Sequence, residues 1–215
     1  MEPDSSEPEE RVAPGTTRPR GVGLAGLLVL FAVGAVGGLI GDMCHVRSGT
    51  TRYLQDPLPY VWESQLWFPL VVGAGTAALG WISVRLGARA AEAEQREPLR
   101  SASAMIAAVL ALYALTALMR GEDASVGIVL PWAVGALIVA AFARRRSDLL
   151  CAALAMLGGV GGEIALSAAG LFEYAGDIEQ IAGVAAWLPA LYLAFGVVAA
   201  RLGVLAARGW PSSAA

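Results

Sequence analysis

One carboxylate stands where charge is least expected. Glu163 interrupts an otherwise uncharged run over residues 149–172, and its helical stripe is Gly159, Glu163, Ser167 and Gly170, small or polar throughout. An ionisable side chain inside a hydrocarbon-length segment is costly, so it faces an interior or a cavity and marks a site by default. Desolvation disfavours the charged form, so Glu163 is expected to be neutral near pH 7. Depth places Tyr113 and Thr116 beside it. They lie 13 and 16 residues beyond Arg100, Glu163 lies 15 beyond Asp148, and both helices run in the same direction. A neutral carboxyl among hydroxyls can bind a ligand hydroxyl, clasp two helices or carry a coupling proton, and these three readings stay open.

No second constellation suggests chemistry. One histidine, His45, excludes a Ser–His–Asp set, and there are no paired carboxylates within the apolar runs, no Walker loop and no zinc motif. Met43, Cys44 and His45 lack companions to fill a coordination sphere, so His45 reads as a loop histidine. Neither catalysis, a metal nor another cofactor is expected.

The elements that must position Glu163 follow from composition. Of 215 residues, 57% are hydrophobic and 15% charged, against about a quarter charged in soluble domains. That excludes a soluble enzyme, a disordered chain and a secreted disulfide scaffold, and a net charge of −3 offers nucleic acid no basic patch. The charges fall in clumps. Runs over 21–41, 64–84, 101–119, 124–143, 149–172 and 180–200 are long enough to cross a membrane, since about 20 helical residues span roughly 30 Å of hydrocarbon. With no water for backbone groups in lipid, these runs must be helices. The expected fold is therefore all-α, a polytopic membrane protein with six transmembrane helices over 21–206, between cytoplasmic tails over 1–20 (disordered) and 207–215 (short). Residues 42–63 form the longest exposed loop on the outer side.

All fifteen basic residues are arginines. Twelve fall on the side of the termini, while Arg47, Arg52 and Arg120 fall on the other, so the positive-inside rule puts both termini in the cytoplasm. Cys44 and Cys151 lie on opposite sides and cannot pair. Gly34-x-x-x-Gly38, Gly37-x-x-x-Gly41 and Gly158-x-x-x-Gly162 offer close helix contacts, within one subunit or across a homo-oligomer seam. Trp62, Trp67, Trp81, Trp132, Trp187 and Trp210 sit near span ends, where an aromatic belt belongs.

Several short motifs together resemble the Insig (insulin-induced gene) family. Trp187-Leu188-Pro189, followed by Gly196 and Gly203 at intervals of seven, is similar to its Trp-Leu-Pro-x6-Gly-x6-Gly run. Trp67-Phe68-Pro69 reaching Gly73 is similar to Trp-Val-Pro-Pro-x-x-Gly, and Gly170-Leu171-Phe172-Glu173-Tyr174 to Gly-Val-Tyr-Gln-Tyr. Arg20-Gly21 and Leu86-Gly87 also fit, so the resemblance covers about 20–205 in the same order. It implies a six-helix, non-enzymatic sensor of a membrane lipid, an oxysterol in animals. There the family acts in the endoplasmic reticulum on the membrane proteins Scap and HMG-CoA reductase.

This chain departs from the family at three positions. Ala143 stands where the family has the aspartate needed for partner binding, and Val126 and Val139 stand where it has a sterol-contacting glutamine and a tryptophan. Absence of lysine, with abundant Ala, Gly and Arg, fits a GC-rich bacterial genome and a plasma-membrane location. The ligand expected is then a sterol or a neutral lipid such as diacylglycerol, held by Glu163, Tyr113, Thr116, Gly159 and Ser167. Any membrane-protein partner is of unknown identity. The alternatives are a small proton-coupled transporter using Glu163 and a structural membrane assembly protein. The arginine asymmetry yields a direct prediction: fused to the C-terminus in a bacterial host, green fluorescent protein fluoresces and alkaline phosphatase stays inactive. The opposite pattern would reverse the orientation.

Overall fold

The structure, a computed structural model, describes residues 21–54, 59–87, 99–178 and 180–208. The expected tails over 1–20 and from 209 onwards lie outside these residues, as does Trp210. Six helices carry the fold: α1 (Leu24–Ser48), α2 (Trp67–Gly87), α3 (Leu99–Leu118), α4 (Ala124–Phe142), α5 (Arg146–Ala168) and α6 (Leu188–Ala207). All six are long and apolar enough to cross a membrane. Three short antiparallel ladders gather at one end of the bundle. They join β1 (Thr51–Tyr53) to β4 (Phe172–Tyr174), β2 (Tyr60–Val61) to β3 (Ser64–Gln65), and β5 (Gln180–Ile181) to β6 (Val184–Ala185). We call this the hairpin end. Residues 21 and 208, at the two limits of the described chain, fall at the opposite, terminal end.

Helix α6 occupies the centre and touches every other helix. Its small residues permit this, because helices in lipid associate through close backbone approach. A Cβ on Gly203 would lie 2.3 Å from the Cα of Gly80 in α2, and one on Gly196 2.6 Å from the Cα of Ala152 in α5. On α4, a Cβ on Gly135 would lie 2.9 Å from the carbonyl oxygen of Ala190. Helix α1 uses the same device. Cβ atoms on Gly34, Gly38 and Gly41 would strike Thr76 and Val72 of α2 and the ring of Tyr113 on α3. These three glycines pack within the subunit. Gly158 and Gly162 do not, since a Cβ on either meets nothing within 4 Å.

Five expectations need correction. Helix α1 runs on to Ser48 instead of ending near 41, so Cys44 and His45 are helical and His45 is buried. Its charged continuation is tolerated because Asp42 and His45 find side-chain partners. Nor is the described part of 42–63 an exposed loop throughout, for its first seven residues are helical and Asp42, His45, Thr50 and Thr51 are buried. Helix α5 stops at Ala168, where Gly170 (φ 71°) takes a left-handed conformation and Leu171 N–H bonds the carbonyl of Leu166 at 3.1 Å. Helix α6 spans 188–207 instead of 180–200, because 180–185 forms a hairpin and Pro189 sits in the first helical turn. Nor do all the tryptophans form a belt: Trp187 is 3% exposed within the core.

Glu163 is also not the sole charge within the helices. Asp148 and Arg201 are buried at the terminal end, with Nη1 and Oδ2 3.7 Å apart. The carboxylate caps its own helix by accepting the N–H groups of Arg144 and Arg145 on Oδ2 at 2.9 and 3.0 Å, and Ser83 of α2 reaches Oδ1 at 3.4 Å. One carboxylate thus ties α2, α5 and α6 together. Removing one member of a buried pair strands the other. Asp148→Ala is therefore expected to cost about 3–5 kcal/mol, and a joint Asp148→Leu, Arg201→Leu variant to recover most of it. Denaturant titration in bicelles measures both, and equal losses in the two variants would refute the pairing.

Candidate functional site

The clamp at the terminal end and the small residues of α6 hold α2 and α5 together there. Cys151 of α5 is 3.6 Å from the carbonyl of Leu79. Toward the hairpin end the two helices part, and the space between them is a cavity of about 340 Å³. Exposed Val71 and Ala78 on α2 face exposed Leu154, Gly158 and Gly162 on α5 across it, so it opens on the flank of the bundle. Gly158 and Gly162 put no side chain into this opening.

Glu163 lines the cavity and is held from two sides. Tyr174 of β4 donates its hydroxyl to Oε2 at 2.5 Å, and Tyr192 of α6 donates to Oε1 at 2.6 Å. Burial first, then the adjacent Glu163 carboxyl, hold the Tyr174 hydroxyl well above its ordinary range, so it remains a donor. Gly159 makes room for this arrangement: a Cβ there would lie 2.2 Å from the Tyr192 ring. Tyr174 in turn stacks edge-on against Trp187, which also packs on His45.

A second polar cluster lies at the same end. Asp42 of α1 accepts Tyr53 and Ser64 hydroxyls at 2.7 and 2.5 Å. Burial, then the Asp42 charge, raise the Tyr53 hydroxyl far above its usual range, so it too stays a donor. His45 Nε2 lies 2.8 Å from Thr116 Oγ1, and the Thr116 hydroxyl has backbone acceptors at Tyr113 (2.9 Å) and Leu112 (3.1 Å). His45 Nε2 and the Thr116 hydroxyl are thus hydrogen-bonded, with the ring tautomer setting which of them donates. Asp42 and His45 both line the cavity. Asp42, just beyond the apolar run 21–41 and expected in a loop, thus lies in α1 and lines the cavity.

The residues expected at the site therefore separate. Tyr113 and Gly159 line the cavity with Glu163. Thr116 is spent on His45, and Ser167 donates to the carbonyl of Gly183 at 3.3 Å, outside the cavity. Depth arithmetic compared α3 with α5 but could not show that α6 stands nearer. Tyr192, Tyr53, Asp42 and His45 are the members that sequence reasoning missed. The sole available signals were the Trp187 motif, five residues before Tyr192, and the position of Asp42 at the edge of an apolar run. Among the motif residues, Trp67 lines the cavity against Tyr53, Pro69 is buried in the first turn of α2, and a Cβ on Gly73 would meet the carbonyl of Phe31 at 2.7 Å.

Among the described residues no group of histidine, cysteine and carboxylate side chains could hold a metal. Fold and site define a class: a six-helix integral membrane protein whose polar side chains converge on a cavity open at the flank of the bundle. No family model matches the chain. A curated relative, the INSIG protein homolog of Mycolicibacterium vanbaalenii, is 42% identical over 185 residues, 83% of this chain and 85% of that protein. The chain belongs to the Insig family, as a bacterial member located in the plasma membrane. The crystal structure of a mycobacterial Insig homolog, MvINS from Mycobacterium vanbaalenii, matches it with a TM-score of 0.81 at 38% identity, over 89% of this chain and 98% of that one. A cross-linked MvINS trimer carrying an Arg-to-Cys substitution matches with the same score and coverage at 37% identity.

The hydrogen bonds at Glu163 can be tested in isolation. Its isotope-edited infrared carboxyl band is expected to move in Tyr174→Phe and in Tyr192→Phe and to stay in place in Thr116→Val and Ser167→Ala. A shift in the Thr116 variant as large as in the tyrosine variants would contradict this geometry.

Proposed function

We propose that the cavity binds a membrane lipid with an uncharged, hydroxyl-bearing head, a diacylglycerol or a sterol, and that the protein senses this lipid without transforming it. The observation that carries this reading is a cavity with one polar end and apolar walls, open toward the bilayer. A carboxyl held by two tyrosines offers further acceptor lone pairs, which suit a ligand hydroxyl. Away from the polar end the lining is mainly Val, Leu, Phe, Ala and Gly, which suits acyl chains or rings. Family membership supports the same reading.

Three further elements belong to it. With twelve arginines on the terminal side, the termini face the cytoplasm and the cavity head lies toward the outer leaflet. Gly158 and Gly162, open on α5, leave a smooth surface at the cavity mouth for lipid or a second copy of the chain. A homo-oligomer accords with the cross-linked trimer of MvINS.

Protein purified in mild detergent is expected to carry a neutral lipid in stoichiometric amount, measured by extraction and mass spectrometry. Losing a buried hydrogen bond to a ligand hydroxyl weakens retention by about tenfold, so Glu163→Leu should release the lipid while the protein still melts cooperatively. Only sub-stoichiometric bulk phospholipid would defeat the reading. Flux driven by a pH gradient in liposomes, lost in Glu163→Leu, would favour the transporter instead.

A further inference from the structure

The cavity holds a second carboxyl that a neutral lipid does not need. Asp42 is more than nine-tenths buried and lines the same space as Glu163. Tyr53 and Ser64 both donate to its Oδ2, while Oδ1 accepts no hydrogen bond among the described residues. Two cationic or potentially cationic side chains line the cavity, and both are committed elsewhere. Arg52 pairs with Glu173 across the β1–β4 ladder, and His45 bonds Thr116. Neither makes an ion pair or hydrogen bond to Asp42 or Glu163 among the described residues. Among the described residues neither carboxyl has a cationic partner, and a charge there without one is expensive to bury.

An occupant that brings positive charge removes this cost. The surrounding wall suits one, since Tyr53, Trp67, Phe68, Tyr113 and Phe172 line the cavity with aromatic rings. Aromatic faces attract organic cations, and cages of them recognise quaternary ammonium heads. We propose that the cavity also binds cationic amphiphiles, taking an alkylammonium head at Asp42 and Glu163 with the alkyl chain leaving between α2 and α5. This rests on the premise of the neutral-lipid reading that the cavity is a ligand site, and shares its use of Glu163.

The test titrates purified protein in uncharged maltoside micelles with dodecyltrimethylammonium and, separately, with the uncharged dodecylglycerol ether, reading bound ligand by native mass spectrometry. Wild-type protein is expected to bind the cation more tightly than the ether by about tenfold or more. Asp42→Asn should shrink that advantage severalfold, and adding Glu163→Gln should abolish it. Equal affinity for both probes in wild-type protein overturns the proposal and leaves the cavity reading intact. An undiminished preference in Asp42→Asn also overturns it. Binding of neither probe removes both readings together.

Discussion

Six helices can meet around one of their own number only if that central helix is nearly bare at the crossings. Helix α6 meets this requirement. At Gly203 and Gly196 its backbone lies where a Cβ would strike the Cα atoms of Gly80 and Ala152, and at Ala190 it receives Gly135 of α4. In lipid, where apolar side chains gain little by leaving one hydrocarbon for another, such contact is the main force available between helices. Its placement along α6 matters. The tightest crossing with α2 lies near the terminal end, reinforced by Ser83, Asp148 and Arg201. Helices pinned at one end diverge toward the other, and divergence of α2 from α5 creates the cavity.

Polar chemistry then concentrates where the helices part. A bundle pinned along its whole length would have buried Glu163 against a neighbour. Here it is suspended between Tyr174 from a loop strand and Tyr192 from α6, so two separate elements hold it in place. The ladders at the hairpin end close this region from above. β1 supplies Tyr53 to Asp42, and its partner β4 supplies Tyr174 to Glu163, so one ladder positions both carboxyls. Each acid is steadied by hydroxyl donors, and apart from His45, Thr51 and Arg52 the remaining lining is apolar or aromatic.

The helices were legible in the sequence because lipid imposes a length and excludes charge, so runs without charge announce themselves. Their ends were less so. Counting from charge to charge stopped α1 before Asp42 and α6 before Arg201, yet both helices continue because those side chains meet partners from distant segments. Two- and three-residue strands carry too little periodicity to be read. The place of Glu163 in the cavity lining was foreshadowed by its isolation, and that of Tyr113 by its depth. Tyr192 was not, because helix order in the chain does not reveal which helix stands at the centre. Recurrent Gly and Ala at 190, 194, 196, 199, 200 and 203 were the trace of that centrality.

The proposed function requires that lipid occupy the cavity between α2 and α5 with its head at Glu163. An experimental structure of the protein reconstituted in lipid nanodiscs, without detergent delipidation, tests this most directly. Elongated density is expected between Val71 and Leu154, with its polar end within hydrogen-bond distance of Glu163. If α2 and α5 were instead closed against each other along their length, or the space held only water, the account would be wrong.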